Sequence, residues 1–214
     1  MVDARTARAP ASNTAASNND EPAEGSRQER LSHLVLRHYA ARPLERVESV
    51  YQWERSPTGF HKPVGLWVSV ENFGDGWKEW CEGENWGLDS LTHAHEITLA
   101  DDAQILWLRC GRDIDAFHQA YSSGARWGAY PDWTRVAGQY QGIIIAPYIW
   151  ARRLEGAASQ WYYAWDCASG CIWDARAIVS ISPLLDADAR GGQPVPSDGT
   201  ESAATPINAG TEKE

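Results

Sequence analysis

The sequence predicts an α+β fold, a mixed or antiparallel sheet with a few short peripheral helices, and three observations predict it. The central residues read as several short strands. The helical periodicities between them are brief, and strands and helices do not alternate in the regular βαβ order of a doubly wound sheet. All 12 tryptophans of the 214-residue chain fall within this body, between about residues 31 and 185. Residues 1–30 are mostly Ala, Ser, Asn, Asp, Glu and Arg, without an aromatic side chain or an apolar run, and read as a disordered tail; residues 186–214, rich in Pro, Gly, Ser, Thr and acids, read as a second one. The roughly 155 residues between them match a single domain large enough for its own hydrophobic core.

Residues 34–39 alternate as a strand, with Leu34, Leu36 and His38 on one face and Val35, Arg37 and Tyr39 on the other. Pro43 suits a first helical turn, and Leu44, Val47 and Tyr51 recur at i, i+3 and i+7, which predicts a helix next. The clearest alternation spans 64–71: Leu66, Val68 and Val70 share a core face, while Trp67, Ser69 and Glu71 share a face free to serve a ligand. After the turn residues 72–76, a short helix carries Trp77, Trp80 and Cys81 at contiguous helical positions. Strands over 95–99 and 103–109, joined by a turn at Asp101 and Asp102, come next. Asp113 then reads as the N-cap of a helix whose Ile114, Phe117 and Tyr121 lie on one stripe. The passage PDWTRVAGQY predicts a second short helix, and Gly142–Ile145 a strand buried on both faces. The last strands fall at 161–166 and 171–179, with a turn at Ser169 and Gly170.

The body holds 13 Lys and Arg against 18 Asp and Glu, and the whole chain carries a formal net charge of −10. Binding to a nucleic-acid backbone needs a basic stripe that displaces counterions, so that partner is disfavoured. The sequence has no basic amphipathic anchor, no apolar run near the ~20 residues of a membrane span and no signal-peptide core, which predicts a cytoplasmic protein with no membrane partner. Cys81, Cys110, Cys167 and Cys171 are too few and too irregular for a secreted disulfide framework and read as reduced thiols. Cys167 with Cys171, and His93 with His95, lack the CxxC pair that structural zinc favours, so no metal is expected. A GxSxG elbow, a P-loop and a GxGxxG fingerprint are all missing, which argues against serine hydrolases, simple NTPases and Rossmann dehydrogenases.

Core packing accounts for most of the tryptophans, including Trp53, Trp107, Trp133, Trp150, Trp161 and Trp173. Trp67, Trp77 and Trp80 differ. They sit on or just beyond the polar face of the best strand, among Gly, Ser and acidic residues, where a flat ring walls a pocket.

The order of LVLRHYA, an early helix, KPVGLWVSVE, a Trp-bearing helix and a final pair of strands resembles the ADP-ribosyltransferase superfamily, over residues 34–179. The resemblance implies a split, mixed or antiparallel sheet. It also implies a toxin-like or phage-type mono-ADP-ribosyltransferase, which transfers ADP-ribose from NAD to an acceptor such as a protein and releases nicotinamide in the host cytoplasm. In that family an early strand carries a His or Arg that anchors a ribose of NAD, a Gly-x-aromatic-x-small strand lines the nicotinamide pocket, an aromatic from the following helix stacks on nicotinamide, and a late strand supplies a catalytic acid, most often Glu. Carried over residue by residue, His38 is the ribose anchor, Trp67 and Ser69 match the second motif, and Trp77 or Trp80 is the stacking ring. No Glu lies between Gln160 and Ile181, so the acidic role falls to Asp166 unless Ser169 or Gly170 occupies that position. Lys62 and Arg37 are the nearest candidates for the diphosphate, while Glu71, Asp75, Glu79, Glu82, Glu84 and Asp89 oppose it unless they face water. Plainer roles compete with each assignment: Asp166 as a turn cap, His38 as a hydrogen-bonded core histidine, Ser69 as a solvent-side strand serine. For the chain as a whole the alternative is a non-catalytic nucleotide- or protein-binding domain of the same fold.

Overall fold

A computed structural model describes residues 31–53, 61–125 and 128–185; both expected tails lie outside them. Among the described residues nine strands are formed: β1 (Leu36–Ala40), β2 (Leu66–Val70), β3 (His93–Leu99), β4 (Ile105–Leu108), β5 (Ser122–Ala125), β6 (Gly128–Pro131), β7 (Gly142–Ile145), β8 (Ser169–Ile172) and β9 (Ile178–Pro183). The helices are α1 (Trp77–Glu84), α2 (Gly111–Tyr121), α3 (Trp133–Ala137), α4 (Trp150–Arg153) and α5 (Ser159–Tyr162). Seven strands make one sheet in the order β4-β7-β8-β2-β1-β3-β9, and β5 and β6 form a separate hairpin. The β4–β7 pair is parallel and every other neighbouring pair antiparallel, so the architecture is α+β with a mixed sheet.

The Ile run of β7 shows why the sheet has a core on both faces. Ile143 and Ile145 pack with Cys171 and Trp173 under Phe117 of α2, Trp133 of α3 and Trp161 of α5. Ile144 points the other way, into a cluster with Leu36, Leu66, Val68, Val70 and Ile97. The alternation read for β2 holds, since Leu66, Val68 and Val70 all enter that second cluster. The stripe of α2 also holds: Ile114, Phe117 and Tyr121 are its buried residues. Its N-cap is Cys110 rather than Asp113, whose carboxylate instead accepts from the backbone N–H of Arg109 at 2.7 Å.

Several expectations are corrected. The helix expected after Pro43 does not form; residues 43–53 have no regular structure. Leu44 and Val47 pack against the sheet, but Tyr51, the i+7 member, is 74 % exposed. The backbone there bonds outward, Leu44 N–H to His95 Nε2 at 3.1 Å and Val50 N–H to the Trp173 carbonyl at 2.8 Å. Residues 161–166 are not a strand but the end of α5 and the loop after it. Ser169 and Gly170 open β8 instead of making a turn; Gly170 is needed because a Cβ would meet the Ile143 carbonyl oxygen at 2.7 Å. The stretch 171–179 is divided between β8 and β9 by a 3₁₀ turn at Ala175–Ala177. Strands β3 and β4 do not pair across Asp101 and Asp102; they lie in opposite halves of the sheet. Trp53 and Trp150 are 55 % and 63 % exposed and so are not core residues.

One irregularity positions the site. Strands β1 and β2 pair only through Leu36↔Val70 and Arg37↔Ser69. Beyond that point β1 continues alongside β3 as far as Ala40↔His93, while β2 continues alongside β8 as far as Leu66↔Ile172. The sheet therefore forks, and the fork is open where the polar residues of both strands lie. Among the described residues no helix is long and apolar enough to cross a membrane.

Candidate functional site

A cavity of about 360 Å³ occupies this fork. Arg37, His38 and Tyr39 of β1 form one wall, Trp67 and Ser69 of β2 another, and Trp77, Lys62, Asp166, Cys167 and Ser169 complete it with Ser90. Of the residues singled out in the sequence, His38, Trp67, Ser69, Trp77 and Asp166 thus line one cavity. Trp80 stands behind them: its ring stacks on Trp77 with centroids 5.1 Å apart and planes at 16°.

The end of the β1–β2 ladder leaves the Trp67 carbonyl without a strand partner, and His38 supplies one, with Nδ1 at 2.7 Å. A carbonyl only accepts, so Nδ1 carries the proton and Nε2 is the nitrogen left to bond a ligand. The His95 ring lies 6.3 Å from that of His38. Burial, together with the neighbouring His38 and His93, lowers the His95 pKa, which keeps it neutral and able to accept from Leu44.

Ser69, 3 % exposed, is not a solvent-side serine. Its Oγ accepts the Trp77 backbone N–H at 2.7 Å, so a strand residue caps the first turn of α1 and fixes the helix that carries Trp77 and Trp80. Gly76 permits this approach, since a Cβ there would lie 2.6 Å from Ser69 Oγ. The ring of Trp67 packs at 5.0 Å from the buried Trp165 and offers its face to Lys62 Nζ at 5.1 Å.

Asp166 stands in the loop between α5 and β8. Its Oδ1 accepts from Arg153 Nη2 at 3.1 Å, and its Oδ2 lies 4.0 Å from Lys62 Nζ. Arg153 is anchored in turn on the Tyr148 hydroxyl at 3.0 Å and the Trp165 carbonyl at 3.2 Å. The segment that carries Lys62 is held by the Trp133 indole, which donates to the His61 carbonyl at 2.9 Å. Burial lowers the Lys62 pKa and Asp166 opposes that fall. Asp166 is therefore an ion-paired carboxylate between two cations rather than a turn cap.

The acidic crowding around Trp77 and Trp80 resolves into two groups. Glu71 accepts from the Tyr39 hydroxyl at 3.0 Å and lies 3.7 Å from Arg37 Nη1; burial, with Glu71 alongside, pushes the Tyr39 phenol upward, which keeps it a donor. Asp75 accepts the Tyr148 N–H at 2.9 Å. Glu79, Glu82, Glu84 and Asp89 are exposed to water. Arg37 and Lys62 both line the cavity. A larger groove of about 540 Å³ lies between residues 49–52 and 134–138, but its charged groups, Asp174 and Arg176, are paired with each other at 2.6 Å.

Sequence reading missed Arg153, Tyr39, Ser90 and Cys167. Arg153 sits in a four-residue helix with no motif, and only the chain path brings it to Asp166. Tyr39 was legible as a neighbour of His38 but was assigned to the far face; the fork exposes three consecutive β1 residues to one cavity. No protein-family model, curated protein or solved structure matches the chain.

Proposed function

We propose that this chain is an NAD-dependent mono-ADP-ribosyltransferase, transferring ADP-ribose to an acceptor and releasing nicotinamide, with an ADP-ribosyltransferase-like split sheet as its scaffold. The observation that carries the reading is the fork: β1 and β2, the strands bearing His38 and Trp67–Ser69, are neighbours that part to enclose one cavity with Trp77 and Asp166 in its wall. A cavity near 360 Å³ suits the nicotinamide and its ribose, with the rest of NAD lying toward the mouth.

In this reading each group has one task. Trp77, braced by Trp80 and held by Ser69, gives nicotinamide a flat face to stack on. His38, with Nδ1 committed to the Trp67 carbonyl, turns Nε2 to a ribose hydroxyl. Arg37 and Lys62 meet the diphosphate charge. As the bond from nicotinamide to ribose loosens, positive charge grows on the ribose, and the Asp166 carboxylate stabilises it. Arg153 keeps that carboxylate in place.

The same ion pair favours the alternative, a non-catalytic nucleotide- or protein-binding domain, because the candidate acid is already engaged by Arg153 and Lys62. Incubating the pure chain with NAD and measuring released nicotinamide and labelled acceptor separates the two. Release by wild type should fall on the order of 10²-fold in His38→Ala and in Asp166→Asn. Release untouched by both substitutions refutes the site. No release, but quenching of tryptophan fluorescence by NAD that Trp77→Ala abolishes, selects the binding domain.

A further inference from the structure

Beside the cavity, α1 and the turn after it carry an aromatic cluster among exposed acidic residues. Trp77 and Trp80 stack, and Trp86 meets both edge-on, with centroids at 5.7 and 5.6 Å. None of the three belongs to either core cluster, Trp86 is 57 % exposed and the nearby Leu88 46 %. Three large rings gather on one short helix and the turn after it, Trp77 and Trp80 half-buried and Trp86 open to water, with no core cluster to account for them. Exposed Glu79, Glu82, Glu84 and Asp89 lie on the same helix and the turn after it, with Lys78 the single basic residue between Trp77 and Asp89.

Indole faces attract cations and the acidic residues attract them too, whereas those acids repel a polyanion such as a nucleic acid. We infer that the surface of Trp80, Trp86 and the glutamates of the same helix docks a basic, Arg- and Lys-rich segment of a partner protein. Resting on the reading of the cavity as an NAD site, that partner is the ADP-ribose acceptor. Trp77 is common to the cavity wall and the aromatic cluster, so a segment held on the cluster ends at the cavity mouth. The net charge of −10 steers such a partner from a distance.

The test titrates the full chain, followed by tryptophan fluorescence, with a ten-residue Arg-rich peptide, its Glu-for-Arg counterpart and a single-stranded oligonucleotide. Saturable quenching by the Arg-rich peptide alone, weakening with salt, is expected. Trp86→Ala, and separately the triple change Glu79→Gln, Glu82→Gln and Glu84→Gln, should each weaken it about tenfold while acceptor-free nicotinamide release stays unchanged. Equal affinity in wild type and both variants, or preference for the oligonucleotide, overturns the inference. So does a dimer in sedimentation that Trp86→Ala dissolves, which gives the surface to a second copy. Peptide binding without nicotinamide release leaves the docking surface standing and refutes the activity; release without peptide binding does the reverse.

Discussion

The contact of Ser69 with α1 can be broken from either end, and the two perturbations test one bond. In Ser69→Ala the Trp77 N–H loses its 2.7 Å acceptor at the first turn of the helix. Loss of a helix cap costs about 1 kcal/mol, and an N–H left unpaired at a partly buried position raises that toward about 2 kcal/mol. At roughly 2–4 °C per kcal/mol for a domain of this size, the melting temperature should drop by about 2–8 °C. Gly76→Ala strikes the same oxygen from the other side, with a Cβ built 2.6 Å from Ser69 Oγ, and overpacking of that kind costs about 1–3 kcal/mol. Removing the oxygen relieves that clash, so the double substitution should cost clearly less than the sum of the singles. Urea denaturation of the four proteins, followed by circular dichroism, measures the cycle. Additive effects, or a Ser69→Ala protein as stable as wild type, would refute the argument that this bond seats α1.

Three further outcomes follow from the geometry. Trp173→Phe should cost more than Trp161→Phe in urea unfolding, by about 1 kcal/mol, because the Trp173 indole donates to the Tyr140 carbonyl at 2.8 Å while the buried Trp161 N–H has no partner among the described residues. In the native chain a thiol reagent should titrate one cysteine, the exposed Cys110, and all four after denaturation; Cys81, Cys167 and Cys171 are buried, and burial pushes the thiols of Cys81 to about 11 and Cys167 to about 12. Arg176, by hydrogen bonding, holds the Asp174 carboxyl far below the usual carboxylate range. A depressed folded-state pKa adds stability that is present above the unfolded value, near pH 4, and is lost as the pH falls further. Melting temperatures measured from pH 6 downward should therefore decline less steeply below about pH 4 in Asp174→Asn than in wild type.

Segments whose pattern matched their final environment were legible from sequence. β2 has one face in the core and one on a cavity, so its alternation survives unchanged. β7 is covered on both sides, and its apolar run says so; α2 lays one stripe on the core. Patterns made by chance at helical spacing misled. Leu44 and Val47 are apolar because an irregular segment crosses the sheet there, and its N–H groups find His95 and Trp173, partners no local window contains. The aromatic run at 161–165 looks strand-like, yet Trp161 and Tyr162 are buried from the end of a short helix.

For the site, sequence alone determined which residue types would meet: a histidine on the first strand, Trp67 and Ser69 on the second, a tryptophan-bearing helix after it. Their meeting was decided by tertiary structure. β1 and β2 separate after two residue pairs, each drawn away by its outer neighbour, and that parting turns a continuous sheet into a cavity. Arg153 reaches Asp166, and Lys62 reaches both Asp166 and the face of Trp67, only because distant segments converge there. Side-chain alternation is a property of a strand's own geometry and can be read locally. A fork in a sheet and an ion pair closed across a cavity are properties of the path between strands, and no window of sequence contains them.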